Sequence, residues 1–191
     1  MAETRNYENV RIYGGMTSGV FLGPLGAVLP TTDLVIPETL EAVGWLSEDG
    51  IGLSVDANVE KFRGYPGGSV LRTKVTSTDK SVSIQALEES PLVTGLFFGH
   101  GKPVAAGTVA RVDIPEMIPT VARSGVLAFE DGDVTKFIVC PRLEVTDRGT
   151  VAHQNNEMTV YELGLEIIGD AYILTNSEAY VDAITAPPVQ G

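Results

Sequence analysis

Leu53-Ser54-Val55-Asp56-Ala57-Asn58-Val59-Glu60 decides the fold class. Apolar and polar residues alternate over the whole stretch, and only an extended backbone sorts them onto two faces. A helix would scatter the same apolar groups around its circumference. The alternation returns in Val70-Leu71-Arg72-Thr73-Lys74-Val75-Thr76 and in Ser81-Val82-Ser83-Ile84-Gln85-Ala86. Between the first two runs stands Tyr65-Pro66-Gly67-Gly68, a turn signal, so a long hairpin is expected with its loop at about 60–70.

Outward from this hairpin, further strands are expected at Val104–Ile114, Gly125–Glu130, Val134–Val145 and Met158–Ile168. Asp131-Gly132 is the best hairpin turn, and Asp147-Arg148-Gly149 marks another. One helix is legible from its ends. Ser90 can accept a bond from an exposed amide, Pro91 suits the first helical position, and Gly99 can terminate it. Its buried stripe would be Leu92, Val93, Leu96 and Phe97. A weaker helical turn is expected over Pro37–Val43. The fold class is all-β with one short α-helix, built as a β-sandwich or barrel. Residues 1–182 would form one domain with an N-terminal arm at 1–9, and Ala183–Gly191, containing Pro187-Pro188, would be an extended C-terminal arm.

The chain has 191 residues, 43% hydrophobic and 20% charged, a balance that sustains a core and excludes wholesale disorder. Its one cysteine, Cys140, has no partner within the chain, which fits assembly inside a cell. The polar opening Met1-Ala2-Glu3-Thr4-Arg5-Asn6 gives the expectation of a soluble chain without a secretory signal. No apolar run approaches the roughly 20 residues that span a bilayer, so no membrane partner is expected. The formal net charge is −12, which opposes tight binding to a phosphate backbone. It serves either solubility or a surface to which DNA must not adhere. The charge is also uneven. Residues 151–191 hold six acids and no Lys or Arg, whereas Lys61, Arg63, Arg72, Lys74 and Lys80 all belong to the long hairpin. Unlike patches of this kind permit head-to-tail association of identical subunits.

Catalytic and cofactor signatures are missing from the sequence. Gly99-His100-Gly101-Lys102 has Leu96 where a phosphate-binding loop needs its first glycine and Pro103 where it needs a hydroxyl. His100 and His153 are the only histidines, and Cys140 lacks a helper, so no metal site is expected. Asp131-Gly132-Asp133 lacks the other ligands of a calcium loop. No Gly-x-Ser-x-Gly elbow occurs. Glu162 and Glu166 share one strand face at a separation of roughly 13 Å, too wide for glycoside hydrolysis. They fit a repelling acidic surface instead. Aromatic residues are 7% of the chain, too few and too buried for an oligonucleotide-binding barrel. A monomeric β-sandwich that binds carbohydrate through Trp45, Tyr65 or Tyr161 is the alternative, and an enzyme using His100 or His153 is a third.

Four segments in order resemble the major tail protein of long-tailed, non-contractile bacteriophages, the siphovirus tail tube family. They are the small apolar stretch Ser18–Thr31 with its Pro30-Thr31 break, Gly44-Trp45-Leu46-Ser47-Glu48-Asp49-Gly50-Ile51 before the first long strand, Gly67–Thr73 followed by Thr76-Ser77-Thr78-Asp79, and the helix Ser90–Gly99. The resemblance is densest over residues 18–100. It implies a structural virion protein of the tail, without enzyme activity or cofactor. It implies self-assembly into stacked hexameric rings whose strands join one continuous inner barrel, through which DNA passes without specific binding. Further partners would be the tape measure, tail terminator and distal tail proteins, with assembly in the host bacterial cytoplasm. The terminal arms and the long hairpin would bridge adjacent rings, a role transferred to Lys61, Arg63, Gly67, Gly68 and Arg72. Glu162 and Glu166 become candidates for an acidic lumen wall, since like charge repels DNA at close range.

Overall fold

The computed structural model describes residues 6–185. After a single 3-10 turn at Tyr7–Asn9 come β1 (Gly19–Pro24), β2 (Glu41–Ala42), β3 (Leu46–Arg63), β4 (Val70–Ala86) and α1 (Pro91–Phe98). Then follow β5 (Val104–Ala106), β6 (Val109–Arg111), β7 (Ala122–Asp131), β8 (Val134–Arg148), β9 (Tyr161–Ile167), β10 (Tyr172–Thr175) and α2 (Glu178–Thr185). Eight strands form one antiparallel sheet in the order β2-β1-β7-β8-β9-β4-β3, with β10 also on β8. The sheet is open, ending at β2 and β3 rather than closing into a barrel.

Length divides the work of β8. Its first half pairs with β10 through Lys136–Val139, and its second half pairs with β9 through Leu143–Arg148. Two cores result. The larger gathers Val20 and Leu22 of β1, Val82 and Ile84 of β4, Leu143 and Val145 of β8, and Leu163 and Leu165 of β9 under Val93 and Leu96 of α1. The smaller packs Val126, Ala128, Phe137 and Val139 against Leu40 and the apolar loop residues Leu29, Leu34 and Ile36. Tyr172 fixes that loop, its hydroxyl donating to the Pro30 carbonyl at 2.7 Å.

The helix forms as its ends foretell. The Ser90 hydroxyl accepts from the Val93 amide at 3.2 Å, and Gly99 takes φ of 68° while its amide bonds the Gly95 carbonyl. A side chain at Gly99 would be strained and would also meet Ile118 and Pro119 within 3 Å. Val93 and Leu96 are buried, whereas Leu92 and Phe97 are only partly buried against the same core. Phe97 stacks edge-on to Tyr161 at 5.5 Å between centroids.

Several expectations need correction. A second helix, α2, runs from Glu178 through Thr185 where the chain was expected to enter an extended arm at Ala183. The rest of that arm, and residues 1–5 of the N-terminal one, lie outside the described residues. Pro37–Val43 makes a turn closed by the Leu40 amide on the Pro37 carbonyl, then the short β2. Val104–Ile114 is a small separate hairpin of β5 and β6, because Gly107, with φ of 67°, turns the chain back after Ala106. Val70–Thr76 and Ser81–Ala86 are two ends of one strand, β4.

Candidate assembly surface

The β3–β4 hairpin outgrows the domain. Only its base, Ser81–Ala86, is flanked by β9. Residues 53–63 and 70–79 are exposed on both faces and form a two-stranded ribbon. Both ribbon edges lack strand partners among the described residues, because β3 ends the sheet and β9 stops at the partner of Ser81. A two-stranded ribbon standing alone in water is marginally stable, and unpaired edges invite another chain.

Register sorts its side chains. Leu53 lies opposite the buried Val82, so Leu53, Val55, Ala57 and Val59 continue the face of the larger core beyond the domain. Val75 joins them opposite Val59, after Thr76 is passed over as a bulge. This apolar stripe is uncovered; Val55 keeps 69% of its surface exposed.

The reverse face is polar and acid-rich. It carries Ser54, Asp56 and Asn58 of β3, opposite Ser81, Asp79 and Ser77 of β4. The same face continues through Glu162, Gly164 and Glu166 on β9, which alternate with the buried Tyr161, Leu163, Leu165 and Ile167. Two acid pairs stand directly opposed, Asp56 across from Asp79 and Glu144 across from Glu166. Like charges directly opposite are destabilising in a sheet. Arg142 offsets one of them, its Nε donating to Glu144 Oε1 at 2.7 Å. Glu162 and Glu166 therefore sit together on one face, as expected from their spacing, and the structure adds Asp56, Asp79, Glu144 and Asp147. The added acids come from three other stretches of sequence, so only register reveals them.

At the ribbon's far end Lys61, Arg63, Gly67, Gly68 and Arg72 come together, joined by Lys74. Lys61 projects from the apolar-stripe face and Arg72 from the polar face, as their partners Thr73 and Phe62 show. Arg63 Nη1 donates to the Gly68 carbonyl at 3.0 Å, closing the tip. Gly67 and Gly68 take φ of 96° and 67° with open space around them. Tyr65 at the apex is 99% exposed.

An open groove of about 1040 Å³ lies near the base of β3. Four residues, Ser47–Gly50, are thrown out of register there, since Leu46 pairs with Ala86 and Ile51 already pairs with Ile84. One wall is the segment Tyr13–Ser18, tied to the β7–β8 hairpin. The Glu130 carboxylate accepts from the Thr17 amide at 2.9 Å, which holds its pKa below the ordinary glutamate value. Lys136 Nζ rests 4.9 Å from the Tyr13 ring centroid and 5.3 Å from that of Phe129. The opposite wall presents Trp45, Glu48 and Asp49.

The alternatives lose their residues. Tyr161 is buried at 3% exposure, while Trp45 and Tyr65 stand at opposite ends of β3, roughly 45–50 Å apart. They share no concave patch. His100 bonds the Thr94 hydroxyl at 2.8 Å and His153 approaches that of Thr159 at 3.4 Å, both local contacts. Cys140 is buried, its thiol pushed up to about 12 by desolvation. Among the described residues no group of three His, Cys, Asp or Glu side chains could hold a metal, and no helix is long and apolar enough to cross a membrane.

A sheet with open ribbon edges, an uncovered apolar stripe and an acidic reverse face belongs to a class of proteins completed by other chains. Over residues 3–175 the sequence matches the family described as phage tail tube protein, and the chain belongs to that family. It is a structural tail tube subunit of the virion tail. Solved structures similar to it include the following three. One is "Tail of empty GTA particle computed with helical refinement, C6 symmetry", with 13% identity, 84% of this chain and 98% of that one covered, and a TM-score of 0.48. Another is "Virion of native gene transfer agent (GTA) particle", with 13% identity, 73% and 92% covered, and a TM-score of 0.43. The third is "Cryo-EM structure of the anti-feeding prophage (AFP) baseplate, 6-fold symmetrised", with 14% identity, 84% and 95% covered, and a TM-score of 0.44. No curated protein matches the chain in sequence.

Proposed function

We propose that this subunit builds the tail tube of a siphovirus from stacked hexameric rings, within which ribbons from adjacent subunits pair edge to edge into one inner barrel. The observation that carries this reading is the β3–β4 ribbon, with two free edges and a core-facing apolar stripe that nothing among the described residues covers. Edge pairing supplies the missing ladder bonds, and neighbouring domains cover Leu53, Val55, Ala57, Val59 and Val75. Contacts that close around a ring yet repeat openly along an axis give a tube.

With the apolar stripe turned outward to the neighbours, the opposite face lines the lumen. Asp56, Asp79, Glu162 and Glu166 then repel the DNA backbone while Ser and Gly positions leave a low-friction wall. The subunit conducts DNA without catalysis. The tip bearing Lys61, Arg63, Gly67, Gly68 and Arg72 bridges to the next ring, as do the terminal arms. Residues 1–182 act as one domain, assembly takes place in the host cytoplasm, and the tape measure, terminator and distal tail proteins are its tail partners. Negative-stain micrographs of concentrated protein test the reading. Stacked rings or tubes are expected; a monodisperse monomer at every concentration and ionic strength refutes it.

A further inference from the structure

We infer that the acidic groove at the base of β3 is the socket for the basic hairpin tip of a second copy of this chain in the adjoining ring. The inference rests on the tube reading and names the surface that receives the tip.

Charge is the first argument. The groove lining contains the acids Glu48, Asp49, Glu88 and Glu130, against the one ammonium of Lys136 beside Tyr13 and Phe129 of its wall. Glu88 is engaged by the Trp45 amide at 2.8 Å and Glu130 by that of Thr17, but Glu48 and Asp49 are exposed and have no ion-pair partner among the described residues. At the tip the balance reverses. Residues 59–75 hold Lys61, Arg63, Arg72 and Lys74 against Glu60 alone, and none of the four makes a salt bridge among the described residues.

Shape and polarity agree. The groove exposes Trp45 at 68% and Met16 at 88%, a soft apolar floor for the fully exposed Tyr65 ring. Gly67 and Gly68 add no side chain that would hold the tip away from the groove.

Placement is the third argument. From Ile51 at the groove to Arg63 at the tip the strand rises roughly 40 Å. Plug and socket thus lie at opposite ends of one subunit. A translation along the ribbon brings the tip of one copy to the groove of the next, an interface that leaves a new socket free at each step.

Charge exchange tests this. Glu48→Lys with Asp49→Lys, and separately Lys61→Glu with Arg72→Glu, are each expected to lower tube yield by about tenfold or more, because a weak contact is multiplied around a ring. All four positions are exposed, so circular dichroism and the melting temperature of the subunit should not change. The quadruple variant, with both charges exchanged, should recover most of the wild-type yield. If it assembles no better than the poorer double variant while wild-type tubes form normally, the groove is not the socket, though the tube reading stands. Should wild type form no tubes, the tube reading fails and takes this inference with it. A Met16→Cys, Tyr65→Cys pair gives an independent readout: oxidised tubes should run as covalent ladders spanning several subunits, and formation of tubes without ladders overturns the assignment.

Discussion

Val55→Thr separates assembly from folding with a near-isosteric change. Threonine is β-branched like valine, so the extended backbone of the ribbon is retained. Val55 is already 69% exposed in the subunit, and its cross-strand partner Lys80 belongs to the same ribbon. The subunit should therefore melt within about a degree of wild type, as surface substitutions away from the core do. In the proposed tube the same side chain is buried against a neighbour. Replacing a methyl by a hydroxyl there strands an unpaired polar group, at a cost of about 1–3 kcal/mol per subunit. Since 1.4 kcal/mol is about tenfold in an equilibrium constant, the critical concentration for assembly should rise roughly 5- to 150-fold. Sedimentation of tubes across a dilution series measures it. An unchanged critical concentration, with the melting temperature also unchanged, would show that the stripe stays in solvent and refute the packing argued above.

Three further outcomes follow from local structure. Ser90→Ala removes the acceptor for the Val93 amide and should cost about 1 kcal/mol, a fall of about 2–4 °C in Tm for a chain of this size. Glu130 has a folded-state pKa below its unfolded value, so its bond to the Thr17 amide contributes stability above the unfolded pKa and loses it as pH falls through the lowered folded value. Protection of the Thr17 amide, taken relative to its intrinsic exchange rate at each pH, should fall over that acidic window in wild type and show no such step in Glu130→Gln. Glu162→Lys with Glu166→Lys relieves the facing of Glu144 and Glu166, so subunits should remain folded and assemble. Their tubes should then retain double-stranded DNA at low salt and release it as salt rises, whereas retention equal to wild type would place this face away from the lumen.

Local signals were legible from sequence, and signals that need register were not. Ser90, Pro91 and Gly99 define α1 within ten residues, and each does in the fold what its chemistry foretells. The turn at Asp131-Gly132 is equally local, with Asp131 pairing Val134 across it. By contrast, β4 reads as two strands because Val75 and Val82 are an odd number of residues apart yet share a face. The bulge at Thr76 reverses the alternation between them. Strand β1 escapes period-two reading because Val20 and Leu22 enter one core while Phe21 packs against the other, leaving a continuous apolar run. Helix α2 is masked by the Pro187-Pro188 that follows it.

The candidate surfaces divide the same way. Lys61, Arg63 and Arg72 flank a turn that the sequence announces, so their grouping was accessible. Asp56 meets Asp79, and Glu144 meets Glu166, only through strand pairing. The groove is less accessible still. It assembles Tyr13–Ser18, Trp45–Gly50 and Glu130, and its out-of-register Ser47–Gly50 has no sequence signature beyond the left-handed Gly50, at φ of 67°.

Helical reconstruction of assembled tubes by electron cryomicroscopy tests the central claim most directly. The outer edge of β3 in one subunit should pair with the free β4 edge, residues 70–80, of its neighbour, with Glu162 and Glu166 facing the axis. A tube whose ribbons stand apart in solvent, or whose lumen is lined by Val55, Val59 and Val75, would contradict it.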